Sequence, residues 1–182
     1  MGLFDVIQQQ ILGLIERAVV NSLDASGKCQ SADVALIAGE QKGGIEHIEP
    51  YGFTARAHAG AEAILLFPDG DRSHAVTLAV SDRRYRLKGL KSGEVALYDD
   101  RGQSVTLTRE GIVVNGAGMP LIFHNAPKAR FEMDIEATGQ ITDRCDGDGL
   151  SMAAMRSAYN GHQHRENGEG SNTDQPNQKM EG

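Results

Sequence analysis

The chain has 182 residues, a formal net charge of −7 and 40% hydrophobic residues, with aromatics at 5% and no Trp. That length fits one domain or two small ones, with few large side chains to anchor a core. The acidic balance lacks the basic footprint that phosphate neutralisation needs, so nucleic acid is not an expected partner.

The two cysteines, Cys29 and Cys145, lie far apart in the sequence. Free thiols in a reducing compartment are expected rather than a disulfide framework. No stretch reaches the roughly 18 uninterrupted apolar residues of a spanning helix. Met1-Gly2-Leu3-Phe4-Asp5 carries no basic lead of a secretory signal, and Val6 stands where myristoylation wants Ser or Thr. A soluble protein made in the cytoplasm is expected.

The spacing of Phe4, Ile7, Ile11, Leu14, Ile15 and Ala18 predicts a helix over 1–20, with Asp5 and Arg17 placed favourably for its dipole. Its wide apolar stripe packs either on its own domain or on a partner. From 21 to 100 short strands alternate with turns. Ala32–Ala38 and Ala61–Phe67 are apolar runs, the second closed by Pro68-Asp69-Gly70-Asp71. Val76, Leu78 and Val80 alternate with Thr77 and Ala79, and Glu94–Tyr98 is a further strand. A small antiparallel barrel of the OB type is the expected architecture.

After Gly102 the alternation becomes cleaner. Val105 and Leu107 alternate with Thr106 and Thr108, and Ile112-Val113-Val114 precedes an Asn115-Gly116-Ala117-Gly118 turn. From 129 to 137, Ala129, Phe131, Met133, Ile135 and Ala137 share one face, while Arg130, Glu132, Asp134 and Glu136 share the other. Nothing in the sequence reads as a helix able to cover that apolar row, and long free edges invite aggregation. Two readings remain open: a half-buried sheet packed on the first domain, or several identical chains wound about one axis as a trimeric β-helix. Residues 165–182 are polar and, taken alone, read as a disordered tail.

Tyr159-Asn160-Gly161-His162-Gln163-His164 is the sharpest local feature. In extended backbone His162 and His164 project to one face, and imidazole suits Zn, Cu, Fe or Ni. They are either a pair of solvated histidines or, with three chains on an axis, a closed shell of six imidazoles. Such a shell has no open position, so its metal is structural rather than catalytic. Asp143, Asp146 and Asp148 resemble an oxygen-rich turn but lack EF-hand spacing. His47, His74 and His124 share no joining spacing, and Ser151 and Ser157 have no nucleophile elbow. The residues do not argue for an enzyme. The rival readings are a metal-dependent cell-envelope hydrolase at His162 and His164 with Glu166 as its carboxylate, and an OB-fold adaptor whose β-region binds carbohydrate or a receptor.

Four elements together carry a resemblance: the Phe4–Val20 segment, the run from Ser81 to Tyr98 with Arg84-Tyr85-Arg86-Leu87-Lys88-Gly89-Leu90 and Gly93-Glu94-Val95-Ala96-Leu97-Tyr98, the strand Lys128–Met133, and the closing 151–164 stretch. The chain resembles the baseplate assembly protein V family of contractile-tailed phages, in particular the Mu-type central spikes. The resemblance implies a mainly β homotrimer: an N-terminal helix (1–20), an OB-fold domain (21–100), an intertwined triple-stranded β-helix (101–164), and a polar tail at the tip (165–182). It implies one iron per trimer, held octahedrally by His162 and His164 of all three chains, and in some members calcium and chloride on the axis. It further implies a virion protein of the tail baseplate, assembled in the host cytoplasm. The spike would cap the tail tube, bind the baseplate hub and pass transiently through the host outer membrane.

Overall fold

The computed structural model describes residues 14–37, 39–165, 168 and 170–180. The chain divides into two compact units, one ending at Ile122 and one beginning at Phe123.

The first unit opens with five strands: β1 (Ile15–Asp24), β2 (Gln30–Leu36), β3 (Gln41–His47), β4 (Glu62–Leu66) and β5 (Val76–Ser81). They close into a barrel in the order β1-β2-β3-β5-β4, with β1 pairing both β2 and β4. Every seam is antiparallel except β3 with β5, which run parallel over Glu46↔Val76 and His47↔Thr77. This is an OB-like barrel, and closure removes the free edges that a five-stranded sheet would expose.

Period-two patterning builds its core. Along β2, Gln30, Ala32, Val34 and Leu36 are buried, while Ser31, Asp33 and Ala35 are not. Phe67 supplies the one large ring among the fully buried side chains, beside Leu65, Val20 and Val34. Register shifts at Val20/Ser22, Ala32/Val34 and Ile64/Leu65 bend the strands toward closure. Asp33, at one of these shifts, ties three strands together. Its carboxylate accepts from Ser22 Oγ (2.8 Å) and from the Gly44 N–H (3.0 Å). Those two donors, the hydroxyl first, hold the carboxyl below its usual range.

The barrel corrects the expected helix over 1–20. Ile15–Val20 form the start of β1, with Ala18 and Val20 buried and Arg17 and Val19 exposed. Those residues fit either period, and pairing with β2 and β4 selects the period of two. The remainder of that expected helix, up to Gly13, lies outside the described residues. The turn expected after Phe67 is present as one 3-10 turn, Pro68–Gly70, with Asp69 and Gly70 at φ of 54° and 73°. Beyond it, Arg72 reaches Glu16 (2.9 Å) and Glu40 (2.8 Å) and lies over the Phe67 ring.

The expected barrel boundary at 100 also moves. Val95–Tyr98 (β6) pairs with β7 (Ser104–Leu107), which pairs with β8 (Ile112–Asn115), in a separate antiparallel sheet. The barrel therefore ends at Ser81. The turns of this meander are held by side chains. Asp99 Oδ1 accepts from the N–H groups of Arg101 and Gln103, and Thr108 Oγ1 from those of Glu110 and Gly111. His58 of the barrel meets Asp100 at 2.9 Å. The apolar residues of the meander stay open in one chain: Leu97 is 64% exposed and Ile112 is 70% exposed.

The expected strand over 129–137 is not part of a ladder. No strand lies between Asn115 and the C-terminal helix among the described residues, and Phe131, Met133 and Ile135 are exposed. Alternation sorts side chains onto two faces, but a ladder also needs a neighbouring strand, and a single chain supplies none here.

In the second unit a turn runs from Asp143 to Leu150 into α1 (Met152–Gly161). Ser151 caps that helix, its Oγ accepting from the Ala154 N–H (3.1 Å). A Cβ added at Gly149 would strike the carbonyls of Asp143 and Arg144. Gly149→Ala is expected to open this turn at a cost of ~1–3 kcal/mol. Hydrogen exchange checks it. The Gly147 and Met152 amides, which donate to Arg144 and Ile141, are expected to exchange about ten- to a hundredfold faster.

Candidate metal centre

His162 follows α1 directly, in extended backbone (φ −69°, ψ 150°). The ring centroids of His162 and His164 are 5.1 Å apart, at an interplanar angle of 86°. The spacing of two residues thus brings both imidazoles together. His162 Nδ1 lies 2.6 Å from the Tyr159 carbonyl. A carbonyl only accepts, so Nδ1 carries the proton, and in the neutral ring Nε2 is left with the lone pair. That is the tautomer a metal-ligating histidine needs, with its second nitrogen anchored on a carbonyl. Both side chains are exposed.

This donor set fits a divalent metal in kind but not in number. Among the described residues no group of three or more His, Cys, Asp or Glu comes together. One chain therefore offers two imidazoles, short of the three protein ligands of a catalytic zinc site. Glu166, the carboxylate a hydrolase reading requires, lies outside the described residues.

The remaining candidates have structural occupations. Asp143 Oδ1 accepts from the Leu150 N–H (3.2 Å), and Asp148 pairs with Arg144 at 2.6 Å. The acidic turn thus spends two of its carboxylates locally. Ser151 is the helix cap, His47 is buried in the barrel, and His124 is exposed. Cys29 and Cys145 are free and exposed. A groove of about 610 Å³ on the barrel is lined by Val19, Ala35, Ile37 and Ile64 together with Arg17, Glu62 and Arg83. Its carboxylate, Glu62, is paired with Arg83 at 2.7 Å. Sequence reasoning missed the His58–Asp100 pair, because residues so distant in the chain carry no local signal.

Residues 17–84 match the family model for the N-terminal part of bacteriophage Mu Gp45. That span coincides with the closed barrel, β1 to β5. Over its barrel the chain is similar to the Mu Gp45 proteins. It is 30% identical over 105 residues to the baseplate puncturing device gp45 of Escherichia phage Mu, covering 58% of this chain and 53% of that protein. It is 34% identical over 98 residues to the Mu-like prophage FluMu protein gp45 of Haemophilus influenzae, covering 54% of this chain and 53% of the relative. The matched stretch thus spans about half the length of each relative. The similarity to Mu gp45 agrees with the resemblance read from the sequence.

Proposed function

We propose that the chain is a structural subunit of a phage tail baseplate spike, not an enzyme, and that it acts as a homotrimer. The observation that carries this reading is the coincidence of the Mu Gp45 match with the barrel. The name of the Escherichia phage relative, a baseplate puncturing device, supports the role. The barrel would bind the hub at the end of the tail tube. The segment beyond it would form an intertwined β-helix that passes through the host outer membrane when the sheath contracts.

The physical case for the trimer is the apolar row that one chain leaves uncovered. Phe131, Met133 and Ile135 are 53%, 74% and 61% exposed. Three chains wound about an axis give each row a buried face and each backbone a neighbour, and leave no edge to peel. Contraction supplies the work, so stiffness rather than a catalytic group is what the spike needs.

His162 and His164 from three chains would give six imidazoles, a closed shell suited to iron among other divalent metals. A metal there supplies a cross-link between chain ends where backbone pairing runs out, and its binding free energy adds to assembly.

Elemental analysis with light-scattering mass tests the reading. The expected result is a trimer with about one iron per three chains, as a shared octahedral shell requires. Replacing both His162 and His164 by Ala is expected to remove the iron and leave the trimer, because the wound strands bury far more than the metal joins. A monomer that keeps zinc at one per chain would overturn the reading.

A further inference from the structure

The polar chain end is tied back to the histidine turn at two places. Thr173 grips His164 on both sides of its backbone. Its Oγ1 accepts from the His164 N–H (2.9 Å), and its own N–H donates to the His164 carbonyl (2.8 Å). Arg165 and Asn172 form the adjoining bridge.

The second tie lies at the end of α1. Asn160 Nδ2 donates to the Met180 carbonyl (3.0 Å), and the Met180 N–H donates to Asn160 Oδ1 (2.8 Å). A side-chain amide thus pairs with a backbone residue in both directions. Lys179 Nζ donates to the Asn160 carbonyl (2.8 Å) and to Gln175 Oε1 (3.0 Å). That carbonyl is among the last four of the helix, which have no partner further along it. An ammonium placed there also meets the negative end of the helix dipole.

The two imidazoles are therefore fixed by different devices. His162 is held by α1, through its ring nitrogen and its N–H, both directed at the Tyr159 carbonyl. His164 takes its backbone ties from Thr173, a residue of the chain end.

We propose that the chain end is a clasp that sets the position of His164, with Thr173 and Asn160 as positioning residues for the metal-binding pair. The inference rests on the metal reading of His162 and His164, but the clasp is testable without metal. Groups that orient metal ligands are worth about 10–100-fold in affinity. The clasp acts on one ligand of two, so its loss should loosen the site without dismantling it.

The test uses the full chain as wild type, Thr173→Val, Thr173→Ser and Asn160→Ala. Two quantities are read: exchange of the His164 amide, and transfer of bound iron to a ferrous chelator. The expected result is a His164 amide protected in wild type and in Thr173→Ser, which keeps the hydroxyl, and unprotected in Thr173→Val. The amides of α1 should stay unchanged across the Thr173 pair. Iron should leave Thr173→Val and Asn160→Ala about 10–100-fold faster than wild type, with Thr173→Ser close to wild type. An unprotected His164 amide in wild type, or unchanged protection in Thr173→Val, would overturn the clasp. Lost protection with an unchanged rate of iron release would overturn its positioning role. A protected amide in a wild-type chain that binds no iron would support the clasp and overturn the metal reading alone.

Discussion

Met133→Asp is expected to convert the proposed trimer to a monomer. Met133 sits in the middle of the alternating row, and its side chain is 74% exposed in a single chain. Winding three chains with that row inward brings three copies of residue 133 together near the axis. The substitution places three carboxylates in one apolar layer without partners. Each buried unpaired charge costs several kcal/mol even after relaxation, and like charges at short range add to that cost. The sum exceeds what one layer of apolar contact returns, about 1.5–3 kcal/mol per side chain. Light-scattering mass after size exclusion reads the result. Glu132→Ala, on the opposite face, is the control and is expected to remain trimeric. A trimer from Met133→Asp would mean that the charged face, not the apolar one, points to the axis.

Phe67→Ala is expected to be the most destabilising single truncation in the barrel. Phe67 is 0% exposed and is the largest of the fully buried side chains. Its N–H donates to the Leu14 carbonyl, and the Arg72 guanidinium lies 5.0 Å over its ring. Truncating a buried Phe costs about 3–5 kcal/mol. That is a large share of the ~5–15 kcal/mol that stabilises a typical domain. The core has little to rearrange into the space, because Ala18, Ala32, Ala61 and Ala63 make up much of the rest of it. Calorimetry should show the barrel transition lowered by on the order of 15 °C. Phe67→Leu, which keeps most of the volume, should recover much of that loss.

The barrel was legible where local signals agreed. Along β4 and the turn beyond it, the apolar run and Pro68-Asp69-Gly70 mark both a strand and its end. Along β1 two periods compete over the same residues: Ile15 and Ala18 suit a helix, whereas Ala18 and Val20 suit a strand. Only the partners β2 and β4 decide, and pairing at such sequence distance leaves no local trace. The alternation at 129–137 was legible as a pattern but not as a ladder, since pattern needs one chain and a ladder needs two strands. The histidine pair was legible from its spacing. Its ties to Thr173 and Asn160 were not, because a polar segment with few apolar residues reads as one that cannot order itself.

The short parallel pairing in the barrel has a mechanical meaning. β1 and β4 are each joined to two antiparallel neighbours, by five or six residue pairs at each seam, while β3 and β5 share two. Those two strands also carry His47 Nδ1 and Thr77 Oγ1, buried without hydrogen-bond partners. Resistance to shear grows with the number of pairs that must break together. This joint therefore gives way at the lowest force, and the barrel, once opened there, becomes a sheet in the order β3-β2-β1-β4-β5 with two free edges.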